Sequence, residues 1–239
     1  MISFCDVHYA YRPGEPVLRG VNLEIGAGLT LLLGPNGCGK STLLKLAAGV
    51  ERPDKGSTNI EGHDLWREET AARQNLAYVP EQPDLTPYST IKDILRLVCR
   101  LRGEPFQRGL EALESAGLSS LSNRSIRELS MGQRRRAVLA AAWVGAPRIV
   151  LLDEPLEAMD RSMREQMLAW IERLLRNDAS IVIAAHEIEP FTSKAVRAAT
   201  VREGLCKIYD PLPDGDAKRV ELFEALSRGR NELQMTNDE

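Results

Sequence analysis

The chain has 239 residues, with 31 Lys and Arg against 34 Asp and Glu and a formal net charge of −3. That length holds one large domain or two small ones, and the near-neutral balance gives no electrostatic reason to expect nucleic acid. No apolar run approaches the ~20 residues of a membrane span. The first residues lack a signal peptide's basic end, and the four cysteines show no C-x-x-C pair, so the totals lead us to expect a soluble intracellular protein without a zinc site or disulfide frame.

Residues 1–30 alternate with the period of a sheet. Ile2, Phe4, Val21, Leu23 and Ile25 sit at period-two spacing, and Arg12 to Pro16 reads as a turn between strands. Tyr9 and Tyr11 share a face of their strand. Two readings stay open for them: ordinary sheet aromatics, or one ring that stacks on a base.

The apolar run Leu29–Leu33 leads into Gly34-Pro35-Asn36-Gly37-Cys38-Gly39-Lys40-Ser41-Thr42, a complete G-x-x-x-x-G-K-[ST] phosphate-binding loop. Leu43–Ala48, closed by Gly49, reads as the helix that must follow. The chemistry explains the residue types. Glycines let backbone N–H groups converge on a phosphate, and the helix start aims unpaired N–H groups at the same place. Lys40 is expected at the β/γ oxygens and Ser41 on Mg²⁺. Cys38, at the helix start beside Lys40, is expected to favour its thiolate and to react readily.

Ser57–Ile60 forms another short strand. Leu76–Val79 reads as a buried strand running into Pro80-Glu81-Gln82-Pro83-Asp84, which two prolines make a loop. A polar side chain there is placed either for Mg²⁺ or a water, or simply in solvent.

Residues 89–146 turn helical. Ile91, Ile94, Leu95, Val98 and Leu101 follow the helical period behind a Thr90/Asp93 capping box. Leu110, Leu113 and Leu118 belong to a second helix, and a third runs from Ala137 to Val144. Arg134-Arg135-Arg136 is read as a solvated face with local ion pairs.

Ile149–Leu152 then reads as a buried parallel strand that presents Asp153 and Glu154 at its carboxyl end, one to hold Mg²⁺ and the other to polarise water. Asp160 is placed to cap a core helix through Met163, Met167, Trp170, Ile171 and Leu174. Ile181–Ala185 is a further buried strand ending at His186, for which a structural role and a γ-phosphate contact both stay open. A charged tail follows Asp216, with a short helix at Val220–Leu226.

The expected fold is α/β: a P-loop NTPase core with a parallel sheet, an N-terminal antiparallel β-subdomain and an inserted α-helical subdomain. The expected divisions are 1–88 (antiparallel subdomain and first part of the core), 89–146 (helical subdomain), 147–215 (second part of the core) and 216–239 (tail).

Leu129-Ser130-Met131-Gly132-Gln133 stands between the phosphate loop and the Asp-Glu strand. With these segments in this order, residues 1–210 resemble the nucleotide-binding subunit of an ATP-binding-cassette (ABC) transporter. The signature is similar to that family's L-S-G-G-Q, with Met131 in place of the first glycine. The resemblance implies ATP and Mg²⁺ as ligands and assigns roles position by position. Tyr11 stacks on adenine, and Gly34 to Thr42 holds the phosphates. Ser41, Asp153 and Gln82 hold the metal; Gln82 is favoured over Glu81 for the glutamine loop. Glu154 is the catalytic base, His186 senses γ-phosphate, and Asp160 belongs to the loop between the two sites. Ser130, Gly132 and Gln133 bind the ATP held by a second nucleotide-binding subunit, identical or different. The implied partner is an integral membrane permease docked on the helical insert and the Glu81–Thr90 loop, which places the chain on the cytoplasmic face of the membrane. The Ile91–Leu101 helix is similar to those of exporters. A soluble ABC ATPase acting on ribosomes or DNA is the rival reading. The single P-loop and the lack of sustained heptads count against it.

Overall fold

The N-terminal alternation builds an antiparallel sheet. In the computed structural model, which describes residues 1–82, 85–157 and 159–229, β1 (Ile2–Ala10) pairs with β2 (Pro16–Ile25), placing Ile2 opposite Ile25 and Phe4 opposite Leu23. After β3 (Gly28–Leu33) and α1 (Lys40–Ala48), β4 (Lys55–Ile60) adds to the other edge of β1, and β5 (His63–Asp64) follows it. Gly56 is required at this crossing. Its φ is 83°, and a Cβ there would lie 2.3 Å from the carbonyl oxygens of Cys5 and Asp6.

Next come α2 (Glu69–Arg73), β6 (Leu76–Val79), and three helices: α3 (Ile91–Arg102), α4 (Phe106–Ser115) and α5 (Met131–Trp143). β7 (Ile149–Asp153), α6 (Arg161–Leu175), β8 (Ser180–Ala184), α7 (Glu189–Thr192), β9 (Ala195–Arg202), β10 (Leu205–Tyr209) and α8 (Asp216–Ser227) complete the described chain. The second sheet has the order β10-β9-β3-β8-β7-β6. It is parallel except for β10, which runs antiparallel to β9.

The unbroken apolar runs of β3, β7 and β8 have a simple cause: both faces of this sheet are covered. Leu29, Leu31, Leu33, Val150, Leu152, Ile181 and Ile183 pack with Met163, Met167, Trp170 and Ile171 of α6. The alternate residues Leu32, Leu151 and Val182 pack with Leu43, Leu44 and Leu46 of α1 and with Ile2, Phe4 and Ile25 of the antiparallel sheet. The helices α3, α4 and α5 bury a third cluster of their own, including Ile91, Leu95, Leu113 and Ala137. α5 serves both bodies, because its Val138, Leu139 and Ala142 face the central sheet cluster.

Several boundaries differ from the sequence expectation. α5 starts at Met131, six residues before Ala137, because Ser130 caps it: its hydroxyl accepts the Gln133 N–H while Gln133 reaches back to the Ser130 N–H. α4 ends at Ser115, so Leu118 packs from beyond the helix. α8 runs from Asp216 to Ser227 rather than Val220 to Leu226. The last residues of the tail, 230–239, lie outside the described residues.

Parallel strands align their carboxyl ends. β3 therefore delivers Gly34, β6 delivers Pro80 and Glu81, β7 delivers Glu154, and β8 delivers His186 to one edge of the sheet.

Candidate active site

At that edge lies a cleft of about 370 Å³, lined by Asn36, Gly37, Gly39, Lys40, Ser41, Glu81, Asp153, Glu154, Glu157 and His186. A larger hollow of about 740 Å³, with Arg108, Trp143 and Trp170 in its walls, contains none of the expected residues.

The phosphate loop is shaped by its glycines. Gly34 has φ 143°, and a Cβ on it would meet the Cys38 sulfur and the Val201 carbonyl oxygen at 2.8 Å. Gly39, at φ 112°, precedes α1, and no side chain caps the first N–H groups of that helix. These donors and the helix dipole favour an anion. Lys40 Nζ donates to the carbonyls of Gly34 (2.8 Å) and Pro35 (3.1 Å), so its ammonium sits across the loop. Thr42 is buried, and its Oγ1 lies 3.3 Å from the Tyr11 hydroxyl.

Asp153 is buried at the end of β7. Burial pushes its carboxyl above the usual range, and the hydrogen bond from the Ser41 hydroxyl acts against that rise. A hydroxyl and a carboxylate side by side are oxygen donors suited to a hard cation such as Mg²⁺, which takes only one or two protein ligands beside phosphates. Among the described residues there is no cluster of three or more His, Cys, Asp or Glu able to hold a metal alone.

Glu154 adopts a left-handed backbone conformation, φ 46°, a strain of about 1–3 kcal/mol for a side-chain-bearing residue. Its N–H donates to the Ala184 carbonyl at 2.8 Å, and its Oε2 accepts the His186 N–H at 3.1 Å. His186 Nε2 stands 3.6 Å from Glu154 Oε1. Burial raises the Glu154 carboxyl, which strengthens it as a proton acceptor; the His186 N–H works against that rise.

Three sequence expectations are corrected here. Gln82, favoured for the glutamine loop and as a metal ligand, lies outside the cleft lining, whereas Glu81, equally exposed, lines the cleft. Pro83 and Asp84 of this loop lie outside the described residues. Cys38 does not have a lowered pKa. Burial pushes its thiol up, and the Lys40 charge only partly offsets this. Arg135 is not on a solvated face. It is 7% exposed, and its guanidinium donates to the carbonyls of Pro80 (2.6 Å), Glu81 and Glu154 (2.6 Å). Its neighbours behave closer to expectation: Arg136 pairs with Asp160, while Arg134 donates to the carbonyls of Ile126, Arg127 and Leu129.

Asp160 caps α6, accepting the Met163 N–H at 2.9 Å; that bond, then Arg136, holds its carboxyl below the usual range. Ala158, in the same loop, lies outside the described residues. Tyr11 follows β1 and is 52% exposed, whereas Tyr9 is buried and meets it edge-on, ring centres 4.9 Å apart. Ser130, Met131 and Gly132 are exposed, and neither they nor Gln133 line the cleft. Glu157 stands with Glu81 in the lining and is the one acidic residue there that the sequence reading does not include; its only signal is its place three residues after Glu154 in a turn.

Residues 18–157 match the family model described as "ABC transporter". The chain is similar to the aliphatic sulfonates import ATP-binding protein SsuB of Pseudomonas putida, with 36% identity over 79% of this chain and 68% of that protein. It is similar also to the taurine import ATP-binding protein TauB of Shigella dysenteriae serotype 1 (strain Sd197), with 33% identity over 91% of this chain and 86% of that one. Its structure superposes on the dimeric, post-hydrolysis state of the ATP-binding cassette MJ0796 bound to ADP and Pi with a TM-score of 0.75, at 26% identity, over 89% of this chain and all of the other. With the family model covering more than half of the chain and the fold agreeing, the chain belongs to the ABC transporter family, as one of its ATP-binding, ATP-hydrolysing cassettes.

Proposed function

We propose that this cassette binds Mg²⁺-ATP in the cleft, dimerises head to tail around two ATP, and drives a separate membrane permease. The observation that carries the dimer is a separation. Lys40, Ser41, Asp153, Glu154 and His186 stand together in the cleft, while Ser130, Met131 and Gly132 are exposed outside it. The signature therefore serves a nucleotide held by another subunit.

Within one half, the loop N–H groups and Lys40 hold the β- and γ-phosphates. Glu154 orients a water for in-line attack and accepts its proton; the bond from the γ-phosphorus to the bridging oxygen breaks, leaving ADP and phosphate. Mg²⁺, held by Ser41 and Asp153, would neutralise charge on the phosphate oxygens. His186 is close enough to Glu154 to contact the γ-phosphate, and Tyr11 receives the adenine. Glu81, rather than Gln82, faces the reacting end. Among the described residues no helix is long and apolar enough to cross a membrane. The permease is proposed because the relatives above are ATP-binding proteins of import systems. They lend no support to the exporter-like reading of the Ile91–Leu101 helix.

Glu154→Gln tests this reading. It should retain ATP binding, lose roughly 10²–10⁴-fold in turnover, and form a dimer on size exclusion only with ATP. Wild-type turnover in that variant would sink the assignment. Tagged chain extracted from its native cell in mild detergent should bring down a polytopic membrane protein; ribosomes or DNA-bound proteins alone would overturn the transport role.

A further inference from the structure

Arg135 lies in the second turn of α5, the helix that begins at the signature. Its buried guanidinium forms no ion pair with a carboxylate among the described residues. Its two Nη atoms donate to main-chain carbonyls, Pro80 at 2.6 Å and Glu81 on one side and Glu154 at 2.6 Å on the other, while its buried Nε has no hydrogen-bond partner among the described residues. We propose that Arg135 is a positioning residue for the hydrolytic reaction, joining the signature helix to the Glu81 loop and to Glu154 so that the Glu154 carboxylate is held at its working place. The proposal rests on the ATPase reading above.

Glu154 needs such a hold. It combines φ 46° with a proline at the next position, and a residue before proline is driven toward extended conformations. Its N–H is tied to the Ala184 carbonyl at 2.8 Å. Its carbonyl is tied by Arg135. Without the guanidinium the Glu154 carbonyl keeps only the longer bond from the Glu157 N–H, 3.2 Å, within its own turn; the Glu154–Pro155 peptide then relaxes, and the carboxylate loses its alignment on the His186 N–H, 3.1 Å away. The same loss frees Pro80 and Glu81, so both acidic side chains at the reacting end shift together. Arginine suits the task because its planar fork reaches carbonyls on two sides; a lysine ammonium is a point donor.

Steady-state hydrolysis and equilibrium ATP binding of purified variants test this. Arg135→Gln should lower kcat by about 10–100-fold, as expected for a misplaced catalytic group, with KM and Kd for ATP within about threefold of wild type. Arg135→Lys should fall between the two, at least about threefold below wild type in kcat. In a Glu154→Gln background, Arg135→Gln should lower residual turnover by less than about twofold, because the group it positions is already gone. A wild-type kcat in Arg135→Gln, a parallel loss of kcat and ATP affinity, or additive losses in the double variant would overturn the proposal. If Arg135→Gln lacks a cooperative melt, Arg135→Lys decides by the same split, and parity with wild type overturns it. Undiminished turnover in Glu154→Gln alone would instead overturn the ATPase reading of the site.

Discussion

Replacing Tyr11 by alanine should weaken ATP and ADP by the same factor. Tyr11 is 52% exposed, with its ring edge-on to Tyr9, centres 4.9 Å apart, and its hydroxyl 3.3 Å from Thr42 Oγ1 beside the phosphate loop. The Lys45 ammonium lies 5.9 Å from the ring centre. A base can therefore stack on an already oriented ring, which limits the ordering cost of binding. Base–aromatic stacking contributes about 1–3 kcal/mol. One ring covering one face of adenine belongs in the lower half of that range, so Tyr11→Ala should raise Kd by roughly 5–30-fold, at about 1.4 kcal/mol per decade. Tyr11→Phe keeps the stack and loses only a long hydrogen bond, so its Kd should rise by about two- to threefold. Calorimetric titration of ATP and ADP into Glu154→Gln protein, where turnover is suppressed, measures both. The adenine is common to the two nucleotides, so the ATP/ADP ratio of Kd values should stay constant. A change below twofold in Tyr11→Ala, or a loss confined to ATP, would refute the placement of adenine on this ring.

Cys38 should label slowly with a maleimide at neutral pH, well behind the exposed Cys5, because burial raises its thiol; labelling should speed up as pH rises and be blocked by ATP. Mass spectrometry that finds Cys38 modified first would contradict the burial argument. Thr90→Ala should destabilise by about 1 kcal/mol through loss of the α3 cap. Asp93 carries part of that cap, and the Thr90 hydroxyl is the main cause of its lowered pKa. A carboxyl lowered in the folded state contributes stability above its unfolded pKa of about 3.9 and loses it as pH falls through the folded value. The gap in melting temperature between wild type and Thr90→Ala should therefore be present at neutral pH and shrink in acid. A gap that does not change across this range would rule out the carboxylate's share.

The parts of this molecule that could be read from its sequence are those where one local rule decides the outcome. The buried strands β7 (Ile149–Asp153) and β8 (Ser180–Ala184) are legible because both faces of the central sheet are covered, leaving runs without polar alternation. The glycine loop was legible because a residue with a side chain cannot occupy Gly34 without striking the Val201 carbonyl. The errors share a different cause. Glu81 and Gln82 are adjacent in a bend beyond the end of β6, and which of them faces the cleft depends on how that bend turns, which neither residue type decides. The start of α5 is hidden from the apolar period, which begins only at Ala137 behind three arginines, although Ser130 and Gln133 spell a capping box. Charge balance alone places Arg135 in solvent. Its true partners are carbonyls at the ends of β6 and β7, brought to it only when α5 packs on the central sheet.

A second arginine shows what such carbonyl binding does for the fold. Arg102, at the end of α3, donates to the carbonyls of Ala141 (3.1 Å), Ala142 (3.1 Å) and Val144 (2.6 Å) where α5 ends, and to Leu76 (3.2 Å) where β6 begins. Burial lowers its pKa to about 10, so it remains charged at neutral pH. Helix C-termini carry unpaired carbonyls and negative partial charge, and a guanidinium satisfies both. β6 is an edge strand of four residues and is thus bound by an arginine at each end: Arg102 at Leu76 and Arg135 at Pro80. The two differ in what they touch. Arg102 joins helix ends to a strand entry remote from the cleft, so it fixes where the helical insert sits. Arg135 joins the same helix to Glu81 and Glu154, which line the cleft. With the positioning role proposed for Arg135, a displacement of the signature end of α5 would reach the reacting end of the site through that side chain, while Arg102 anchors the opposite end of the helix.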